Sequence, residues 1–178
     1  MPPAALIPRG TDVAGTWFAQ TSAGDAIVLA WQVPGPDPFR LEHGVVVWRR
    51  FTDGGAPWRP VFGETYDASG TPVLGITATT QDVTGDGSED ALVFAETGGS
   101  GSCGVYSVLD LAAGTTVYRR SVCDTQIAPS TQPVGLSLTQ AVYAPGDAHC
   151  CPSAIRETVL TFGGDGDWHT ASSTTSPT

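Results

Sequence analysis

The sequence predicts an all-β fold: a single antiparallel meander domain that forms a sandwich or a curled sheet. Three observations predict it. The 178 residues include 22 glycines and 14 prolines, which favour many turns over helices. Short runs rich in Val, Ile, Thr, Tyr and Trp recur along the chain, and turns with Gly, Pro or Asp separate them. Helical periodicity is hard to find anywhere between these turns.

About eight to ten strands are expected from these runs. In chain order the clearest are DAIVLAWQV, HGVVVWRRF, PVLGITATT, DALVFAE, GVYSVLDL, TTVYRRSV, VGLSLTQAVYA and IRETVLTF. Leu136 and Leu138 alternate with Ser137 and Thr139, which is the pattern of an antiparallel strand with one buried face. The runs IVLAW and VVVW are continuously apolar and predict strands that are covered on both faces.

We expect one domain over residues 1–170, since this length is enough to bury a core. Residues 171–178, ASSTTSPT, are polar and predict a disordered tail or a linker. No run is long enough for a transmembrane helix. The first residues, MPPAALIPRG, lack the charged and apolar regions of a signal peptide, so we expect that an exported form has lost its leader.

The charge of the chain argues against nucleic acid as a partner. The formal net charge is −10, and phosphates are repelled by it unless a local basic patch outweighs it. The pairs Arg49/Arg50 and Arg119/Arg120 lie in predicted strands, where neighbouring side chains point to opposite faces. Neither pair therefore forms such a patch.

The run DVTGDGSED predicts a calcium loop, because oxygen-bearing side chains alternate with small residues. The predicted ligands stand at positions 1, 3, 5, 7 and 9 of the loop and are Asp82, Thr84, Asp86, Ser88 (through its backbone carbonyl) and Asp90. Gly87 permits the bend that turns these oxygens toward one centre. Val93 replaces the bidentate Glu of a helical EF-hand. The alternatives are a solvated acidic turn held by Asx hydrogen bonds and a catalytic carboxylate pair.

The stretch DVTGDGSEDALVF resembles the calcium loop of FG-GAP/VCBS-type repeats, in which an Asp-rich turn leads into a β-strand. The resemblance implies a propeller-blade-like loop that binds Ca²⁺ through the five residues just given. Thr84 stands where those repeats carry Asp or Asn, which implies a weaker ligand or a water at that position. One copy of the loop does not imply a complete propeller.

The four cysteines, Cys103, Cys123, Cys150 and Cys151, allow three pairings. The segment GVYSVLDL-AAG-TTVYRRSV predicts a β-hairpin with Gly114 in the left-handed conformation at the end of a three-residue loop. This turn pairs Leu111 with Thr115, and the same register places Cys103 opposite Cys123 at a separation that suits a disulfide. For Cys150 and Cys151, a strained vicinal disulfide, cross-pairing with the other two cysteines and free thiols all stay open.

The segment GDAHCCPSAIRETVLTFGGDGDW carries a second resemblance. It is similar to the C-terminal segment of small actinobacterial cell-envelope lipoproteins and secreted proteins of the LppP/LprE kind, with Ala154 where Gly is usual. The resemblance implies a β-fold and an extracellular or cell-envelope location, and it implies no reaction. A zinc site at His149 is not favoured, because C-x-x-C spacing is absent.

Three functional hypotheses follow. The favoured one is an exported, calcium-stabilised, disulfide-bonded binding or structural module, with an envelope protein or a glycan as partner. The second is a secreted glycan hydrolase that uses Glu64, Asp67 or Glu96, and the third is a carbohydrate-binding module with exposed Trp side chains. No catalytic residue is assigned, since nucleophile–base spacing and cofactor motifs are lacking. We expect one binding rim formed by the Asp82 loop, Gly98–Gly101 and the Cys150–Cys151 turn.

Overall fold

The computed structural model describes residues 10–35, 41–66, 72–99 and 101–178, and in these ranges the chain is all-β, as the sequence predicts. The strands are β1 (Asp12–Thr21), β2 (Gly24–Pro34), β3 (Leu41–Arg50), β4 (Trp58–Tyr66), β5 (Gly75–Gln81), β6 (Asp90–Gly98), β7 (Cys103–Asp110), β8 (Thr115–Val122), β9 (Thr125–Thr131), β10 (Val134–Val142), β11 (Ala154–Phe162) and β12 (Trp168–Pro177). The described residues contain no helix with the length and apolar character needed to span a membrane.

The twelve strands form three four-stranded antiparallel sheets, each made of consecutive strands. The first sheet has the order β1-β2-β3-β4, the second β5-β6-β7-β8 and the third β9-β10-β11-β12. Each sheet is thus an up-and-down meander, the connectivity of one propeller blade. This arrangement gives every sheet two edge strands and two central strands.

Two hydrophobic cores join the three sheets, and β6 contributes to both. Ala91 and Val93 of β6 pack toward the first sheet, whereas Leu92 packs toward the third sheet. The core between the second and third sheets includes Leu136 and Leu138 of β10. Because successive side chains of a strand alternate between faces, a central strand between two cores must be apolar at every position.

The first sheet confirms the prediction that IVLAW and VVVW are covered on both faces. Val28 and Val47 lie in the core shared with the second sheet, while Trp31 and Trp48 lie in a cluster on the opposite face. Trp48 is 1% exposed and Trp31 is 4% exposed, so this opposite face is also shielded from solvent. These central strands therefore bury apolar side chains on both faces of the first sheet.

The described residues form twelve strands where the sequence predicts about eight to ten. The strands without a clear sequence signal are β1, β4, β9 and β12, and all four lie at sheet edges. Edge strands need no continuous apolar run and accept proline, as β4 does at Pro60 and β9 at Pro129. Residues 171–177, where the sequence predicts a disordered tail or linker, form most of the exposed edge strand β12.

The β7–β8 hairpin has a longer turn than the sequence predicts, but it keeps the predicted strand register beyond the turn. Thr115 pairs with Asp110 and not with Leu111, so the loop is one residue longer than expected. An irregularity between Val108 and Leu109 then restores the predicted register, and Gly104 pairs with Val122. Asp110 stabilises the longer turn because its carboxylate accepts the backbone N–H of Ala113 at 2.7 Å.

Candidate functional site

The acidic loop, defined as residues 82–90, connects β5 to β6 at one end of the second sheet. It lies against the β1–β2 turn of the first sheet. Gly85 and Gly87 have positive φ angles of 79° and 84°, which glycine adopts without the steric cost that a Cβ atom brings. These two glycines fold the loop back on itself, so that the three predicted aspartate ligands surround a short segment of backbone.

Asp82 and Asp86 bind backbone amides inside the loop. The two carboxylate oxygens of Asp82 accept the N–H groups of Gly85 at 2.7 Å and Gly87 at 3.0 Å. Asp86 accepts the N–H of Ser88 at 2.7 Å. These are the Asx hydrogen bonds of an acidic turn. They place both aspartates with their carboxylates facing the loop backbone.

Asp90 is the buried member of the loop, with an exposure of 0%. Its Oδ2 atom accepts three hydrogen bonds, from the N–H of Val83 and from the N–H and hydroxyl of Thr84. Its Oδ1 atom is buried without a hydrogen-bond partner. The pKa of Asp90 is raised to about 6, mainly by burial and also by the charge of Asp86, against the opposing effect of the hydrogen bonds. A buried, half-satisfied carboxylate is costly unless a proton or a cation compensates it.

Two contacts fasten the acidic loop to the first sheet. The hydroxyl of Ser88 lies 2.9 Å from the hydroxyl of Ser22 and also accepts the backbone N–H of Ser22 at 3.0 Å. Glu89 donates its backbone N–H to the carbonyl oxygen of Gln20 at 2.9 Å, and its carboxylate accepts the N–H of Gln20 at 2.5 Å. The position of the loop is thus fixed by contacts with the first sheet, and not by hydrogen bonds within the loop alone.

The donor chemistry of the acidic loop fits a hard divalent cation, because carboxylate, hydroxyl and carbonyl oxygens all occur within nine residues. Among the described residues, no three Cys, His, Asp or Glu side chains are arranged to hold a metal ion together. The reason at this loop is that Asp82 and Asp86 face backbone amides. Binding an ion therefore requires their oxygens to turn partly from those amides, while Asp90 Oδ1 already lacks a partner.

A groove of about 680 Å³ opens beside the acidic loop. Its lining includes Phe18, Gln20, Asp25, Trp58, Gly87 and Glu89. Phe18 is 71% exposed, so its ring is open to solvent in the groove. Asp25 faces Arg50 across 3.5 Å. The groove thus combines an exposed aromatic ring with polar and acidic groups, and the loop forms part of its wall.

None of the five tryptophans is exposed. Trp31 and Trp48 are buried, and Trp17, Trp58 and Trp168 are half-buried. Trp168 donates its indole N–H to the carbonyl oxygen of Val117 at 2.9 Å, which joins the third sheet to the second. A platform of exposed tryptophans, as in the third hypothesis, therefore does not form, and the exposed aromatic residue beside the loop is Phe18.

The structure corrects the expected single rim. Asp90 and Gly98 are the two ends of β6, and nine extended residues span about 26 Å. The acidic loop lies at one end, here called the loop end. Gly101 and the Cys150–Cys151 turn lie at the other, here called the disulfide end, where both contact Asp124 or its neighbours. A single rim was expected because the sequence alone does not show that the extended strand β6 separates the acidic loop from Gly98–Gly101 and the Cys150–Cys151 turn.

The cysteines lie at the disulfide end. Cys103 and Cys123 form a disulfide with a Cα–Cα distance of 4.1 Å, as the hairpin register predicts. Cys150 and Cys151 are unpaired and exposed. The structure therefore contains no disulfide that joins Cys150 or Cys151 to Cys103 or Cys123.

The two described carboxylates proposed for a hydrolase lie on strands of different sheets. Glu64 lies on β4 of the first sheet and forms an ion pair with Arg119. Glu96 lies exposed on β6 of the second sheet. Asp67 lies outside the described residues.

Sequence reasoning identified the acidic loop but missed the residues that hold it, Ser22 and Gln20, and the groove residue Phe18. These contacts join residues that are 66 and 69 positions apart in the chain, so no local sequence pattern predicts them.

No protein-family model, no curated protein and no solved structure matches this chain.

Proposed function

We propose that this chain is an exported binding or structural module of the cell envelope, stabilised by Ca²⁺ and by a disulfide, without catalytic turnover of its own. The predicted partner is an envelope protein or a glycan that binds at the loop end. The single observation that carries the calcium assignment is Asp90, whose buried Oδ1 atom has no partner. A cation in the loop supplies the missing interaction and also neutralises the repulsion among Asp82, Asp86 and Asp90.

Export is supported by the Cys103–Cys123 disulfide, since such bonds persist mainly in oxidising compartments. The CCPS segment, through its resemblance to actinobacterial envelope proteins, favours the same location. The net charge of −10 continues to disfavour nucleic acid. These observations together favour a module that works outside the cytoplasm through its surface.

The experiment is thermal unfolding of the purified chain in Ca²⁺, in Mg²⁺ and in EGTA, at matched ionic strength. A ligand that binds only the folded state raises the melting temperature by mass action, so we expect the highest value in Ca²⁺. Identical melting curves in Ca²⁺ and EGTA would contradict a stabilising site.

Asp86→Ala and Asp110→Ala form a matched pair for this experiment. Both residues accept a backbone N–H within a turn at 2.7 Å, but Asp110 lies in the β7–β8 turn, away from the acidic loop. Each substitution removes one such hydrogen bond, and only Asp86→Ala removes a predicted calcium ligand. We therefore expect Asp86→Ala to abolish the difference between Ca²⁺ and EGTA, and Asp110→Ala to preserve it.

Glycan binding is the second candidate, and the groove beside the acidic loop favours it. Sugar rings pack on exposed aromatic faces, and Phe18 offers such a face next to the carboxylates of Asp25 and Glu89. The test is an NMR titration with soluble envelope polysaccharide fragments. Shifts confined to the groove and lost in Phe18→Ala support a glycan ligand, whereas unchanged spectra leave an envelope protein as the favoured partner.

A further inference from the structure

The turn between β10 and β11, residues 143–153, is held in one conformation by hydrogen bonds from both flanks. Asp147 accepts the N–H of Ala144 at 2.6 Å and the N–H of Ser153 at 3.0 Å, which closes the base of the turn. Tyr143 donates its hydroxyl to the carbonyl oxygen of His149 at 2.9 Å, and its ring stacks on that imidazole. Cys151 donates its N–H to the carbonyl oxygen of Ala148 at 2.9 Å. The tip of this turn carries the two thiols.

The sulfur atoms of Cys150 and Cys151 lie 2.9 Å apart, and both residues are exposed. In extended backbone, adjacent side chains point in opposite directions, so adjacent sulfurs are normally far apart. The turn brings them to the same side. Their hydrogen bond is the first cause that raises the pKa of the Cys151 thiol, followed by desolvation and the charge of Asp147.

We propose that Cys150 and Cys151 form a two-electron redox site that closes to a vicinal disulfide by exchange with a small-molecule disulfide. In the first step, one cysteine thiolate attacks a sulfur of the small disulfide, and one small thiol leaves with a proton. In the second step, the neighbouring thiolate attacks the protein sulfur of this mixed disulfide, and the second small thiol leaves. Two cysteine thiols are thereby oxidised and one small disulfide is reduced to two thiols.

The geometry favours both steps. Exchange depends on access to the attacking sulfur, and both thiols are exposed. The second step is intramolecular between positions that already lie 2.9 Å apart, so the mixed disulfide is consumed quickly. Cys103 and Cys123 are bonded to each other, so neither offers a free thiol for the first step. This site does not rest on the calcium assignment, because the acidic loop lies at the other end of β6.

The test incubates the full chain in buffers of increasing oxidised-to-reduced glutathione ratio, followed by acid quench, alkylation and mass spectrometry. Cleavage before Asp147 isolates both cysteines on one peptide without Cys103 or Cys123. We expect this peptide to lose two hydrogen atoms and to resist alkylation once oxidised. Cys150→Ser and Cys151→Ser should each retain a glutathione adduct at least roughly tenfold more abundant than in the native chain, because the second step is blocked.

Four results would overturn the proposal. The first is a stable double glutathione adduct on the native chain, and the second is a bond from this peptide to Cys123 or to another chain. The third is a pair that stays alkylatable in excess oxidised glutathione while both single variants accept the adduct. If neither variant accepts an adduct, the thiols are not accessible to small disulfides, which also overturns it.

Discussion

The hydroxyl of Ser88 in the acidic loop lies 2.9 Å from the hydroxyl of Ser22 in the β1–β2 turn. This contact connects the second sheet to the first at the loop end. Ser88 is 1% exposed, so its hydroxyl has no water to replace a lost partner. The loop that carries the predicted calcium ligands is therefore held by a polar contact that also supports the packing of two sheets.

Ser88→Ala is expected to lower the free energy of unfolding by about 1–2 kcal/mol, because it leaves the N–H of Ser22 without its acceptor. Ser22→Ala should cost less, since Ser22 is exposed and keeps that N–H bond. The measurement is urea unfolding of both single variants and the double variant. A coupling free energy near zero in this cycle would show that the two serines do not support each other.

Replacing both Cys103 and Cys123 by Ser should destabilise the fold by about 3 kcal/mol, the loop-closure entropy of a bridge between residues 20 apart. Denaturant unfolding under non-reducing conditions measures this loss. The double variant in which Ser replaces both Cys150 and Cys151 is the matched control, because two adjacent residues close no long loop. Equal stability of the two double variants would mean that the bridge does not constrain the unfolded chain.

Because His43 in β3 is buried, we expect the folded chain to lose stability in mild acid. His43 is 2% exposed, and burial lowers its pKa below 6.5. The unfolded chain therefore takes up the proton at a higher pH than the folded chain does. The contribution of His43 is complete above the unfolded pKa and is lost as the pH falls from 6.5 toward the folded value.

The measurement is the free energy of unfolding over roughly pH 7 to 5 at constant ionic strength. We expect His43→Gln to flatten the decline. His169 is the control of opposite sign, because the hydrogen bond that it donates to Asp165 raises its pKa and its contribution is lost as the pH rises. If His43→Gln leaves the acid slope unchanged, the slope arises from other groups and the prediction is wrong.

Thr84→Asp should tighten calcium binding, since it adds a carboxylate at the third position of the loop. Thr84 now donates its hydroxyl to Asp90 at 3.0 Å, and the substitution loses that bond. In EGTA we therefore expect Thr84→Asp to be less stable than the native chain, and in Ca²⁺ to be at least as stable. A variant that is destabilised equally in both conditions would place Thr84 outside the ion's coordination shell.

The central strands β2, β3 and β6 could be predicted from the sequence because burial on two faces requires a continuous apolar run, which is IVLAW in β2, VVVW in β3 and ALVFA in β6. The edge strands β1, β4, β9 and β12 could not, because one side of such a strand faces solvent and polar residues or proline are tolerated. β12 shows this most clearly, since its Ser- and Thr-rich sequence is what a disordered tail also contains. What orders it is pairing with β11, a contact that only the fold supplies.

The candidate site likewise combines features that the sequence predicts with features that only the fold supplies. The acidic loop is local, so the spacing of Asp82, Asp86 and Asp90 was visible in the sequence. The disulfide was predictable because a hairpin converts sequence distance into register, although the turn at Asp110 differed by one residue. The groove was not predictable, because Phe18 and Gly87 come together only through the packing of two sheets.

Isothermal titration of the EGTA-treated and desalted chain with Ca²⁺ tests the central claim most directly. Asp86→Ala and Asp110→Ala serve as the paired variants. We expect one calcium ion per chain for the native protein and for Asp110→Ala, weaker binding or none for Mg²⁺, and no saturable heat for Asp86→Ala. Absence of saturable calcium binding by the native chain, or equal binding by Asp86→Ala, would contradict the account.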